Sequence, residues 1–346
     1  MHTRPFLLCL LFAVLALGGP VPADGSARPA ESRSEATIQV GIIGLDTSHS
    51  PAFTEVFNES DGPFSDFEVV AAYPYGSRTI ESSYSRIPQY RKEVRAMGVE
   101  IVDSIDELLA RVDVVLLETN DGRRHLEQAL EVFEAGKPVF VDKPVAASLA
   151  EAVAIYEAAE RHGVPVFSSS SLRYMKNAQS VRGGEIGDVL GAHAYSPAVL
   201  EETHPDLYWY GIHGVETLFT AMGPGCETVR RVYTDSTEVV VGTWTGGRIG
   251  TFRGLRGGET GYGGRAFGAE GIRHLGPYEG YRPLVRQIAA FFRTGEAPVR
   301  RRETLEIYAF MSAAHESERR DGAPVRIEEV LSEARAEAER LLEDHE

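Results

Sequence analysis

Residues 38–50 read IQVGIIGLDTSHS: an apolar run that reaches Gly44 and then presents a carboxylate, two hydroxyls and an imidazole on consecutive positions. An apolar strand turning on glycine into a helix is how a dinucleotide-binding site begins. Its first glycine permits the tight turn, its second lets the backbone approach the pyrophosphate, and its third lets the helix pack on the strand. Gly44 holds the first position, but Asp46 stands at the second and His49 at the third. A carboxylate beside a pyrophosphate is repulsive unless it turns away or meets a cation. A side chain at the third position pushes the helix off the strand. Thr47 and Ser48 supply hydroxyls that can cap the helix, and a helix N-terminus is itself an anion site. The stretch therefore reads either as a working nicotinamide cofactor site or as an altered one.

Two other regions carry chemistry-bearing types. The second apolar run ends AAYPYGSR, without the acid that normally binds the adenine ribose. Ser77 and Arg78 suit a 2′-phosphate or an ordinary turn, so NAD and NADP both stay open. Farther on, Glu201, Glu202, His204 and Asp206 precede Tyr208, Trp209 and Tyr210. The rings suit either a sugar face or ordinary packing. No metal-ligand spacing is diagnostic, and no metal site is assigned.

The elements that must position these groups follow from periodicity. Short apolar runs at 38–45, 67–73, 100–102, 113–119, 138–144 and 164–171 alternate with helical patterns. Ser104 and Ser148 stand where helix N-caps belong, and Gly98, Gly136 and Gly163 where helices stop. Strands alternating with such helices predict a doubly wound parallel sheet covered on both faces. After residue 172 the rhythm changes to a helix around YGIHGVETLFTAMG, extended runs over 227–255 that suit an antiparallel sheet, and helices from YRPLVRQIAAFFRTG onward. The last segment, 328–346, reads as a charged amphipathic surface helix. No internal repeat is present.

Composition narrows the partners. Net charge is −16, from 51 acidic and 35 basic residues, so nucleic acid and anionic membrane surfaces are not expected. Residues 1–23 combine Arg4, a short apolar run and a small-residue site ending at Ala23, as a cleaved Sec-type signal peptide does. A periplasmic or secreted protein is predicted, with 24–36 a polar leader. Cleavage would leave Cys226 as the one cysteine, so no intrachain disulfide is expected.

The stretch from Thr119 to Met175 closely resembles the glucose-fructose oxidoreductase, inositol dehydrogenase and rhizopine-catabolism protein family (Gfo/Idh/MocA). The resemblance rests on Thr119-Asn120, His125, Gly136-Lys137, Asp142-Lys143-Pro144 and the later GIHGVETL, in family order over roughly residues 37–327. It implies a Rossmann domain at 37–170 followed by an α+β domain at 171–327, whose open, mainly antiparallel sheet mediates homo-oligomerisation. It implies an NAD(P)-dependent oxidoreductase moving a hydride at a hydroxyl carbon of a sugar or polyol. On its pattern Lys143 and His213 are the catalytic residues. Gly44, Asp46, Thr47, Ser48, Thr119, Asn120, His125, Asp142 and Lys143 line the cofactor, and Arg173, Tyr174, Trp209 and Glu216 the substrate. Asp142 shortens the signature glutamate, and Trp209 replaces an aspartate four residues before His213. Two alternatives stay open: an NAD-recycling glycoside-cleaving enzyme, and a cofactor-less carbohydrate-binding protein.

Overall fold

The computed structural model describes residues 37–345; the predicted signal peptide and the leader lie outside them. The chain begins with β1 (Ile38–Ile43), α1 (His49–Phe57), β2 (Phe67–Tyr73), α2 (Glu81–Tyr84), α3 (Ile87–Ala96), β3 (Glu100–Ile101) and α4 (Ile105–Leu109). It continues through β4 (Val114–Leu117), α5 (His125–Glu134), β5 (Val139–Val141), α6 (Leu149–His162) and β6 (Val166–Phe167). These strands form one parallel sheet in the order β3-β2-β1-β4-β5-β6. The order reverses at β1, so a crevice opens beyond the carboxyl ends of β1 and β4.

Local chemistry sets the boundaries. The Ser104 and Ser148 hydroxyls accept from the amides of Glu107 and Glu151 and cap α4 and α6. Gly163 ends α6 in the left-handed conformation at φ 67°. Val114–Leu117 are buried throughout, as a central parallel strand requires.

The second half comprises α7 (Lys176–Arg182), β7 (Val189–Pro197), α8 (Ile212–Met222), β8 (Cys226–Thr234), β9 (Thr237–Trp244), β10 (Arg248–Leu255), β11 (Gly263–Gly268) and β12 (Ile272–His274). It closes with α9 (Arg282–Thr294), α10 (Arg301–Arg319), β13 (Val325–Arg326) and α11 (Ile327–Glu343). The sheet order is β12-β11-β7-β10-β9-β8-β13. It is antiparallel apart from the β7–β10 pair. β7, β11 and β12 were not legible beforehand: β11 is half glycine, β12 is only three residues long, and β7 carries small and polar residues in place of a regular apolar alternation. The inner face packs on α8 and α10, while Val232, Ile249 and Phe267 stand exposed on the other.

The two halves share their cores. The apolar stripe of α9 (Leu284, Val285, Ile288, Phe291) packs into the same cluster as Phe53, Phe140 and Phe167 of the first half. The carboxyl-terminal helix is amphipathic as expected, and buries Val330, Ala334, Ala338 and Leu342.

Two expectations change. The strand predicted over VPVFSSSS ends at Phe167, because Ser169 and Ser170 turn their hydroxyls to side chains of α8. The helix predicted from Tyr210 starts at Ile212, after a π-wound turn over Leu207–Gly211.

Candidate functional site

A cavity of about 300 Å³ lies at the carboxyl ends of the first sheet, roofed by the second half. Lys143, just past β5, and His213, in the first turn of α8, both line it. Each is nearly buried, at 8 % and 7 % exposure. Thr47, Ser48 and His49 enter from the α1 N-terminus, Asn120 from beyond β4, and Trp209 and Tyr210 from the π-wound turn. Tyr262, Tyr278 and Tyr281 form another wall, and Arg86 also lines the cavity. A larger groove of about 620 Å³ beside α10 and α11 contains none of these groups.

His213 is held from behind. Its Nδ1 lies 2.7 Å from Ser170 Oγ, which leaves Nε2 as the unengaged ring nitrogen. Tyr210 and Tyr262 meet the ring edge-on at 5.5 and 5.9 Å. Burial, and then the charge of Lys143, hold its pKa well below the usual imidazole value. The ring is therefore neutral at neutral pH and free to accept a proton. Lys143 has no hydrogen bond or ion pair within the described residues that would divert its ammonium from the cavity.

The altered glycine positions have specific partners. The Asp46 carboxylate is fully buried and accepts from the Ser77 amide at 2.8 Å and the Asn120 amide at 2.9 Å. A Cβ on Gly76 would stand 2.3 Å from its Oδ2. Burial raises the Asp46 pKa to about 6 against the pull of those two amides. Gly44 has φ 93°, and a Cβ there would lie 2.5 Å from the Thr119 amide nitrogen, so only glycine fits.

His49 does not push α1 away, because the sheet offers it acids. Its Nδ1 lies 2.7 Å from Asp142 Oδ2 and 3.8 Å from Glu118 Oε2. Phe53 stacks on the ring at 5.1 Å, and Tyr281 meets its edge at 4.7 Å. Burial favours the neutral form of Asp142, but the charges of His49 and Lys143 outweigh it and hold the pKa at about 2. Glu118 is raised instead, by burial and by Asp142; neither of its oxygens has a hydrogen-bond partner. The donor atoms of His49, Glu118 and Asp142 lie within 4.8 Å of one another, compactly enough for a metal ion. Sequence reasoning missed Glu118 because it reads as the end of an apolar strand.

The other expected site residues fall into two groups. Trp209 joins Lys143 and His213 in the cavity wall. Ser48 precedes α1 without a capping side-chain bond; its hydroxyl lies 3.4 Å from Tyr281 Oη. Thr119 is buried behind the wall with its hydroxyl unpartnered. His125 Nε2 lies 2.6 Å from the Thr119 carbonyl and Nδ1 3.2 Å from that of Val145, so it ties two loops together.

Arg173 and Glu216 do not face the cavity. Arg173 is buried between Glu216 at 2.7 Å and Glu303 at 2.6 Å. Glu216 also accepts from the Ser169 hydroxyl and the Ser170 amide, so it reaches His213 only through Ser170. Tyr174, beside Arg173, has a buried, unpartnered hydroxyl. His204 accepts from the Gly122 amide, and burial lowers its pKa to about 4. Asp206 pairs with Arg231, so these two do not form a metal centre.

Residues 38–170 match the family described as an oxidoreductase family with an NAD-binding Rossmann fold. The chain is 28 % identical over 199 residues to inositol 2-dehydrogenase 3 of Saccharopolyspora erythraea, covering 53 % of each. It is 36 % identical over 100 residues to inositol 2-dehydrogenase of Gluconacetobacter diazotrophicus, covering 27 % of this chain and 30 % of that one. The chain thus spans about half or less of these curated relatives. Among solved structures, scyllo-inositol dehydrogenase from Lactobacillus casei with NAD(H) and scyllo-inositol superposes with a TM-score of 0.65 at 16 % identity. That match covers 84 % of this chain and 99 % of that one. GenD2 from gentamicin A biosynthesis, in complex with NAD, gives 0.69 at 18 % identity, covering 86 % and 99 %. These likenesses establish the two-part architecture.

Against a dinucleotide, the strand ends divide. The cavity end, with Lys143, Asn120 and the amides of α1, suits its polar ring end. The course beside the second glycine position does not suit a diphosphate, because the Asp46 carboxylate already holds two amides there.

Proposed function

We propose that this chain, whose residues 38–170 match an oxidoreductase family with an NAD-binding Rossmann fold, is an NAD(P)-dependent oxidoreductase of the Gfo/Idh/MocA type acting at a hydroxyl carbon of a polyol or sugar. One observation carries this reading: Lys143 and His213, 70 positions apart, line one cavity of ring-sized volume. The Lys143 ammonium donates to the substrate hydroxyl oxygen and stabilises the charge that develops there. Neutral His213 accepts the hydroxyl proton at Nε2 while Ser170 fixes the ring. The tyrosine and Trp209 side chains offer hydroxyls and ring faces to a polyhydroxylated ring and exclude water. NAD or NADP, when bound, supplies the hydride acceptor.

The test is a panel of cyclitols and sugars with NAD+ or NADP+. Growth of reduced-nicotinamide absorbance, slowed by on the order of 100-fold or more in Lys143→Ala, is expected. Native mass spectrometry of protein purified from its own host adds a direct reading, in which a mass increment equal to a dinucleotide supports the enzyme.

A cofactor-less carbohydrate-binding protein is the second reading, and the seat of Asp46 favours it. It predicts bare polypeptide and no dinucleotide binding on titration. The glycoside-cleaving alternative needs a second base at the cavity; Glu216 does not provide one, being held by Arg173 and two serines.

Two further parts of the reading concern context. Residues 1–23 direct export and are removed near Ala23, supported by their composition alone. The protein forms a homo-oligomer through the second sheet, supported by the exposed Val232, Ile249 and Phe267 on its outer face. Among the described residues no helix is long and apolar enough to cross a membrane.

A further inference from the structure

We infer that Asp46 is this chain's own competitor for the dinucleotide: its carboxylate sits on the amides of Ser77 and Asn120 and must leave before a diphosphate can pass the first turn. The inference rests on the proposed cofactor reading and concerns how that site is occupied.

The fingerprint explains why this position matters. Its second residue is glycine so that a pyrophosphate can touch the backbone, and the end of the second strand normally serves the adenine ribose. In this chain the residue at that position projects an acid across both. One carboxylate oxygen takes the amide beyond β2 and the other the amide beyond β4. An anion and its internal substitute cannot share two amide donors, and two anions at contact distance repel.

The surroundings are shaped to Asp46. It has no exposed surface, and its neighbour Gly76 lacks a side chain where any Cβ would collide with the carboxylate. Asn120 donates from Nδ2 to Ser83 Oγ at 2.9 Å. Ser77 Oγ donates to Asp121 Oδ2, also at 2.9 Å, and Asp121 pairs with Arg123. The loops after β2 and β4 are thereby laced over the carboxylate, with the short α2 among them. The cavity holding Lys143 and His213 remains open beside this closed stretch. A small polyol can therefore enter without disturbing Asp46, whereas a dinucleotide cannot.

The experiment is calorimetric titration of the purified protein with NAD+ and, in parallel, NADP+. It uses wild type, Asp46→Gly, which restores the fingerprint glycine, and Asp46→Asn, which keeps the shape without the charge. Both variants are expected to bind one of the two dinucleotides at least about tenfold more tightly than wild type, a gain of about 1.4 kcal/mol. Equal affinity in all three proteins overturns the inference and leaves the cofactor reading standing. Absence of binding in all three overturns both. Amide hydrogen exchange guards against a misfolded variant. Ser77 and Asn120 should be protected in wild type, exposed in Asp46→Gly, and protected again when the dinucleotide is added. Equal protection of these amides in wild type and Asp46→Gly also overturns the inference.

Discussion

His49 Nδ1 and Asp142 Oδ2 stand 2.7 Å apart, joining the third position of the glycine fingerprint to the acid of the Asp-Lys-Pro signature. Each explains the other's departure from pattern. A helix that carries an imidazole where it should carry a hydrogen packs on the sheet because β5 ends in a carboxylate that receives it. Shortening the signature acid from glutamate to aspartate leaves room for the ring. His49→Gly should therefore destabilise rather than repair the fold. It leaves Asp142 buried without its partner, and removing one member of a buried pair costs about 3–5 kcal/mol. Adding Asp142→Asn should recover much of that loss. Urea unfolding checks both variants, and a single-variant loss below about 1 kcal/mol would count against the pair.

Two buried acids at the strand ends give opposite pH signatures. Asp142, held at about 2 against the ordinary aspartate value of 3.8, contributes stability that is fully present above pH 4 and lost as pH falls toward 2. The difference corresponds to about 2 kcal/mol. Asp46, raised to about 6 from 3.8, does the reverse: the native state binds the proton more tightly, so its contribution declines as pH rises from about 4 to 6. In Asp46→Asn that decline, about 3 kcal/mol, should vanish from the stability profile. Urea midpoints at pH 4, 5, 6 and 7 provide the measurement. A profile for Asp46→Asn parallel to that of wild type would show that the carboxyl titrates normally.

Lys143 and Arg86 both line the cavity with no acid on them by hydrogen bond or ion pair among the described residues, and of the two only Lys143 is buried. On the proposed reaction Lys143→Ala should lower kcat by on the order of 100- to 1000-fold, as loss of one charge-stabilising donor does. Removing its charge from beside Asp142 should weaken the hold on that carboxyl only in part, since His49 remains. Steady-state kinetics, with circular dichroism to verify the fold, decides. Undiminished turnover would remove Lys143 from the reaction.

The architecture was legible because its signals are local. Ser148 and Gly163 cap the helix they bound, and apolar runs separated by helical periods specify the parallel sheet. Of the candidate site residues, Lys143 and His213 are brought to one cavity by a strand end and a helix start that the pattern located. What stayed hidden is non-local. Nothing near Asp46 announces that its partners are main-chain amides 31 and 74 positions away. Arg173 reads as a cleft residue until Glu216 and Glu303, 43 and 130 positions on, enclose it. The serine run after Phe167 reads as strand by continuity. It leaves the ladder because buried acid and imidazole groups on α8 take its hydroxyls and an amide.

Those serines lead to the last expectation. Ser170 bonds His213 Nδ1 at 2.7 Å and receives the Leu172 amide at 3.2 Å. Its own amide donates to Glu216, which Arg173 fixes. The chain Arg173–Glu216–Ser170–His213 therefore orients the imidazole without touching the cavity, which makes Ser170 a positioning residue. Ser170→Ala should lower kcat about tenfold while leaving KM nearly unchanged, and Ser170→Thr should restore much of the rate by returning a hydroxyl to Nδ1. His213→Asn should lower kcat by about 100- to 10,000-fold, the range for a lost general base. Burial, and then Lys143, lower the His213 pKa, so activity should stay flat down through neutral pH and fall only in acid, where the ring takes up a proton. In Ser170→Ala the acid limb should shift, since the partner at Nδ1 is gone. A Ser170→Ala enzyme with an unaltered acid limb and an unaltered kcat would assign the chain to packing alone.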